Sequence, residues 1–167
     1  YVPRRSVKVE FDSHSGFAAI HNNLRVYDNG DAELTTGQVG GGSKTVLHLT
    51  GAEYTALTNL FTKYKFNSMP ESFPGRWVPD GPSYEVTYAT SPRGRRHTVR
   101  SHMGAAEPRG FVTIKNALYR LVAKVRAKGR NVGANVVDGS MNGKTIEARV
   151  GDTIEIKLDG NPTTGYQ

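Results

Sequence analysis

The stretch LRVYDNGDAEL, residues 24–34, constrains the chain more than any other. Leu24 and Val26 alternate with polar residues before Asn29-Gly30, and Ala32 and Leu34 do so after it. Alternate side chains of a strand share one face. Asn-Gly between two such runs is a strong two-residue hairpin signal, because both turn positions take φ > 0. Two antiparallel strands with one apolar face are therefore expected. A lone hairpin is marginal in water, so further elements must cover that face.

The flanking sequence supplies them. In SVKVEFD, Val7, Val9 and Phe11 alternate with Lys8 and Glu10, which predicts a half-buried strand. TTGQVGGGSK reads as a mobile connection, since its four glycines are costly to order. TVLHL is a short strand. Thr50 and Glu53 then have capping-box spacing, with Leu49 and Tyr54 placed as a hydrophobic staple. The helix so begun carries Leu57, Leu60, Phe61 and Tyr64 on one stripe. Lys63 and Lys65 suit its C-terminal dipole, and Pro70 bars continuation. ESFPGRWVPDGPS is a Pro/Gly-rich loop holding Trp77. YEVTYAT and RRHTVRS flank the turn Ser91-Pro92-Arg93-Gly94, a second hairpin. A second helix follows. Pro108 suits its start, Phe111, Ile114, Leu118, Leu121, Val122 and Val125 form its stripe, and Gly129 stops it.

Residues 1–129 thus predict an α+β domain, an antiparallel sheet with two helices packed on one face. Residues 130–167 predict a linker and a second, all-β piece. There Ile146, Ala148 and Val150, then Ile154, Ile156 and Leu158, alternate around Gly151-Asp152. That piece reads as the opening strands of a sandwich whose remainder does not follow.

Composition narrows the chemistry. The absence of cysteine excludes disulfides, thiolate metal sites and a cysteine nucleophile. No apolar run is long enough for a transmembrane helix, so no membrane partner is expected. No signal peptide opens the chain, and a processed exported protein would read the same way. Of the net charge of +7, residues 1–128 contribute +8 and residues 129–167 contribute −1, and such an excess attracts anionic partners. Arg93, Arg95, Arg96 and Arg100 of the second hairpin suit phosphate contact, yet no aromatic residues are interleaved for base stacking. A charged hairpin guarded against edge pairing accounts for them as well. His14, His21, His48, His97 and His102 match no metalloprotease spacing, and no nucleophile-elbow or phosphate-loop motif occurs. The histidines are read as solvated, and no metal, cofactor or catalytic residue is expected.

Asn161-Pro162-Thr163-Thr164-Gly165-Tyr166 stands apart. Pro162 fixes φ and extends Asn161. The threonines stiffen the tip, and Gly165 supplies backbone freedom. Such a wedge loses little entropy on entering a narrow cleft. GKTIEARVGDTIEIKLDGNPTTGYQ resembles the start of the chagasin family of cysteine-protease inhibitors, over residues 134–167. The resemblance implies an immunoglobulin-like sandwich and a papain-like protease as partner. It also implies Thr163, Thr164 and Gly165 at the catalytic centre, with Pro162 and Tyr166 bracing the loop. The tryptophan common after the Tyr is not reached, and the other inhibitory loops would lie beyond Gln167. Cysteine-protease inhibition is therefore expected only from a completed domain. Residues 6–128, through EFDSHSGFAAI, the Asn-Gly hairpin, LTGAEYTALTNLF and YEVTYATSPRGRRHTV, resemble emfourin-like domains. That resemblance implies inhibition of a thermolysin-like metalloprotease. An S1′ pocket for a bulky apolar side chain would take Val39 or a neighbour among Gly37, Gln38 and Gly40, although a disordered connection accounts for that loop as well. The expectation is a secreted or periplasmic protease inhibitor in two domains and not an enzyme. The rival expectation is a basic module binding nucleic acid or an anionic surface.

Overall fold

The computed structural model describes residues 5–16, 20–38, 41–91, 94–132, 135–137 and 154–156. The chain divides into two compact units, Tyr1–Asn131 and Val132–Gln167.

The first unit is α+β. Four strands follow one another as a meander: β1 (Val7–Ser15), β2 (Ile20–Tyr27), β3 (Asp31–Gln38) and β4 (Gly41–His48). Helix α1 (Gly51–Lys63) leads to the hairpin β5 (Ser83–Ala89) and β6 (Arg96–His102). Helix α2 (Arg109–Lys128) leads to a two-residue strand β7 (Arg130–Asn131). The sheet order is β6-β5-β1-β2-β3-β4-β7, with every neighbouring pair antiparallel. The later hairpin thus extends the meander at β1, and the chain's return from α2 closes it at β4.

Alternation decides which face is covered. Val9 and Phe11, Leu24 and Val26, Ala32 and Leu34, Val86 and Val99 are all buried. They form one core with Leu57 and Phe61 of α1 and Phe111, Ile114, Leu118, Val122 and Val125 of α2. At about 25 cal/mol per Å² of apolar surface removed from water, this burial is the main drive for folding. Both helix ends follow local chemistry. Thr50 accepts from the Glu53 amide while Glu53 caps the Thr50 amide in return. Pro108 stands at the N-cap of α2 and Gly129 at its C-cap.

Three expectations require correction. The Asn29-Gly30 turn is not a two-residue turn with both φ positive: of the two, only Gly30 is in that region, at φ +87°. The connection is three residues, Asp28–Gly30, closed by the Gly30 amide donating to Tyr27 O at 3.0 Å. Asn29 Oδ1 accepts the Asp31 amide at 3.1 Å, a local bond that holds Asn29 outside the left-handed region. Second, TTGQVGGGSK is not a mobile loop over its described length. The β3–β4 ladder runs through Thr35↔Lys44, Thr36↔Ser43, Gly37↔Gly42 and Gln38↔Gly41. Ladder bonds need only backbone amides and carbonyls, which glycine has. Third, Arg130 and Asn131 are not linker: they pair with Val46 and Thr45 of β4.

The second unit contains β8 (Asn135–Val137) and β9 (Ile154–Ile156), paired in parallel. The preceding run, Ile146 to Val150, lies outside the described residues. Among the described residues, Ile154–Ile156 pairs with Asn135–Val137 of the expected linker region.

Candidate functional site

One end of the sheet gathers the features of interest. The β3–β4 hairpin ends there on Gln38↔Gly41. The paired glycines Gly37 and Gly42 leave this arm without side chains just behind its tip. Val39 and Gly40, which follow Gln38 in sequence, lie outside the described residues. The β1–β2 ladder reaches the same end at Ser15↔Ile20, since His21 of β2 faces Gly37 of β3. The loop after α1 packs against it. A Cβ on Gly16 would lie 2.0 Å from Asp80 O, so only glycine admits that approach.

The sheet face opposite the helices is polar. Glu10 Oε1 accepts from Arg25 Nε at 2.9 Å, and Glu10 Oε2 from Arg96 at 3.2 Å. The Glu10 carboxylate is the main reason that the Arg25 guanidinium is held above its ordinary pKa. Glu85 accepts from Arg100 at 2.6 Å. Asp12 differs. Its Oδ1 meets His21 Nε2 at 2.8 Å and accepts from Asn23 Nδ2 at 2.9 Å. His14 lies directly across the ladder from His21, with the two rings stacked at 4.2 Å. Ligand atoms of Asp12, His14 and His21 all lie within 4.8 Å of one another.

Asp12 and His14 also line a cleft of about 490 Å³, together with Trp77, Glu85, Arg100 and His102. Trp77, the chain's one tryptophan, is 61% exposed and stands edge-on to His102 with centroids 5.3 Å apart. An exposed indole beside a cleft is available to a partner.

The reading of the histidines as scattered is therefore corrected, while His14 and His48 are exposed as expected. His14 and His21 form one cluster with Asp12. The signal was in the sequence: Asp12 and His14 are two apart on one strand, so they share a face. What sequence spacing lacked was the register that sets His21 opposite. His97 and His102 cannot share an ion, because five residues along a straight strand put them on opposite faces. His97 lies on the core side, where its Nε2 donates to Met69 O at 2.8 Å and its ring stands edge-on to Phe66. His48 pairs with Asp31 at 2.8 Å, at the far end of the sheet.

The basic hairpin is largely self-neutralised. Arg96 and Arg100 engage Glu10 and Glu85, while Arg95 is exposed and Arg93 lies outside the described residues. Asn161, Pro162, Thr163, Thr164, Gly165 and Tyr166 also lie outside them. Among the described residues, no helix is long and apolar enough to cross a membrane. No family model matches the chain, and no curated protein matches its sequence.

Proposed function

We propose that the protein is an exported protease inhibitor whose first unit blocks a thermolysin-like metalloprotease through the β3–β4 tip. The observation that carries this reading is the ladder extending to Gln38↔Gly41. It makes Gly37 and Gln38, with Gly41 and Gly42 opposite, part of a register-locked arm. Paired glycines keep that arm thin enough for a groove, and its extended backbone offers amides and carbonyls to an enzyme that binds extended chains. Preorganisation lowers the ordering cost of such an insertion.

In the same reading, the second unit is the start of an immunoglobulin-like sandwich. Its Asn161–Tyr166 loop meets a papain-like cysteine protease once the sandwich is complete. Neither unit performs chemistry, and no cofactor is required. The resemblance to the two inhibitor families supports these assignments, together with the wedge chemistry of Pro162, Thr163, Thr164 and Gly165.

The test is a titration of thermolysin with the chain. Stoichiometric inhibition is expected, weakened by Val39→Asp or by deletion of Val39 and Gly40. Absence of inhibition, or potency indifferent to the tip, removes the assignment. The rival reading, a nucleic-acid or anionic-surface module, ranks second because Arg96 and Arg100 already hold carboxylates. It requires binding that falls steeply with added salt.

A further inference from the structure

We propose that Asp12, His14 and His21 bind a divalent transition-metal ion of the zinc type, with a coordination position left open toward the cleft. The assignment does not depend on the inhibitor reading.

Three observations converge on it. The first is donor chemistry. Two imidazoles and one carboxylate suit zinc and its neighbours, and three protein ligands leave a fourth position for an outside group. The second is placement. Asp12 and His14 occupy the same face of β1, and His21 faces His14 across the ladder. Their ligand atoms lie within 4.8 Å of one another, against roughly 3.4 Å between ligands of a tetrahedral zinc ion. His14 is exposed and His21 is 43% exposed in its side chain, so both rings are free to turn and close that difference. The Asp12–His21 contact is then replaced by two bonds to the ion.

The third is the charge pattern of the open face. Glu10 and Glu85 are each held by arginine, whereas the hydrogen bonds of Asp12 go to Asn23 and His21. A carboxylate set beside imidazoles, with no guanidinium or ammonium of the described residues hydrogen-bonded to it, is suited to a cation. Asn23 completes the arrangement as a positioning residue. Its amide donates to Asp12 Oδ1 at 2.9 Å and to Glu10 Oε1 at 3.2 Å. It thereby orients the Asp12 carboxylate and leaves Oδ2 free to turn toward the ion. The cleft that Asp12 and His14 line gives an incoming ligand access to the open position.

The experiment is calorimetric titration of the whole chain with Zn²⁺, repeated with Co²⁺ for its visible spectrum. One ion per chain is expected. His14→Ala and His21→Ala should each abolish that binding. Asn23→Ala should weaken it about tenfold, in line with removal of a group that orients a ligand. His48→Ala should leave it intact, although His48 also pairs with a carboxylate. Proton NMR of the wild-type chain supplies a readout independent of variant folding. Co²⁺ should shift and broaden the ring signals of His14 and His21 far more than those of His48 and His97. Absence of stoichiometric Zn²⁺ binding overturns the proposal. So does binding that survives His14→Ala and His21→Ala, or cobalt effects centred on His48.

Discussion

The two faces of the seven-stranded sheet hold the first unit together by different physics. The helix-covered face is apolar and closed. Phe11, Phe61, Phe66 and Phe111 are among its fully buried side chains, with Ile114 and Leu118 beside them. Phe111 is edge-on to Phe73, which anchors the loop after α1 to the second helix. The opposite face is a lattice of cross-strand polar contacts around Glu10, Asp12 and Glu85. Its side chains remain partly solvated, so each contact gains little Coulomb energy and loses side-chain entropy. The contrast teaches that stability resides on one face while the other is free to carry chemistry.

The sharpest way to break this comparison is Phe111→Ala. Removing a buried aromatic ring from a packed core costs about 3–5 kcal/mol. Denaturant unfolding should show a loss in that range, and a loss below about 1 kcal/mol would mean the covered face is not the stabilising one. Glu10→Ala probes the opposite face. It deletes the acceptor of Arg25, Arg96 and Asn23, yet those arginines are nearly half exposed. The expected loss is about 1 kcal/mol or less. A loss matching that of Phe111→Ala would erase the distinction.

The smallest expected effect lies in acid. The Glu53 carboxyl is lowered from 4.5 to about 2, first by the Lys124 ammonium and next by the Thr50 amide that it caps. A depressed folded-state pKa stabilises the fold above the unfolded value and loses that contribution as the carboxyl protonates. The contribution of Glu53 is therefore full above about pH 4.5 and fades toward pH 2. Melting temperatures measured across that window should fall less steeply for Glu53→Gln than for the wild type. Parallel slopes would show that the link from α1 to α2 is immaterial to stability.

These contrasts also mark what could be read from the chain alone. The capping box at Thr50, the stripe from Phe111 to Val125 and the alternation around Leu24 and Leu34 all depend on residues within a turn or two of each other. Local chemistry therefore specified both helices, most strands and the covered face. The Asn29-Gly30 turn was legible as a hairpin but not in its type. There a side-chain bond from Asn29 to the Asp31 amide competed with the pairing preference of the dipeptide. Gly37, Gly41 and Gly42 misled because composition speaks to ordering entropy and not to the ladder that repays it.

Only the tertiary structure decided which strands are neighbours. Alternation marks the face that a side chain occupies, but it carries no record of the strand beside it. Placing β5 against β1, and β7 against β4, joins segments far apart in sequence, and the first of these, with β6 beside β5, sets Arg96 on Glu10. The same holds at the candidate metal site. Asp12 and His14 share a face by their spacing. The β1–β2 register, a property of two strands together, is what brings His21 to them.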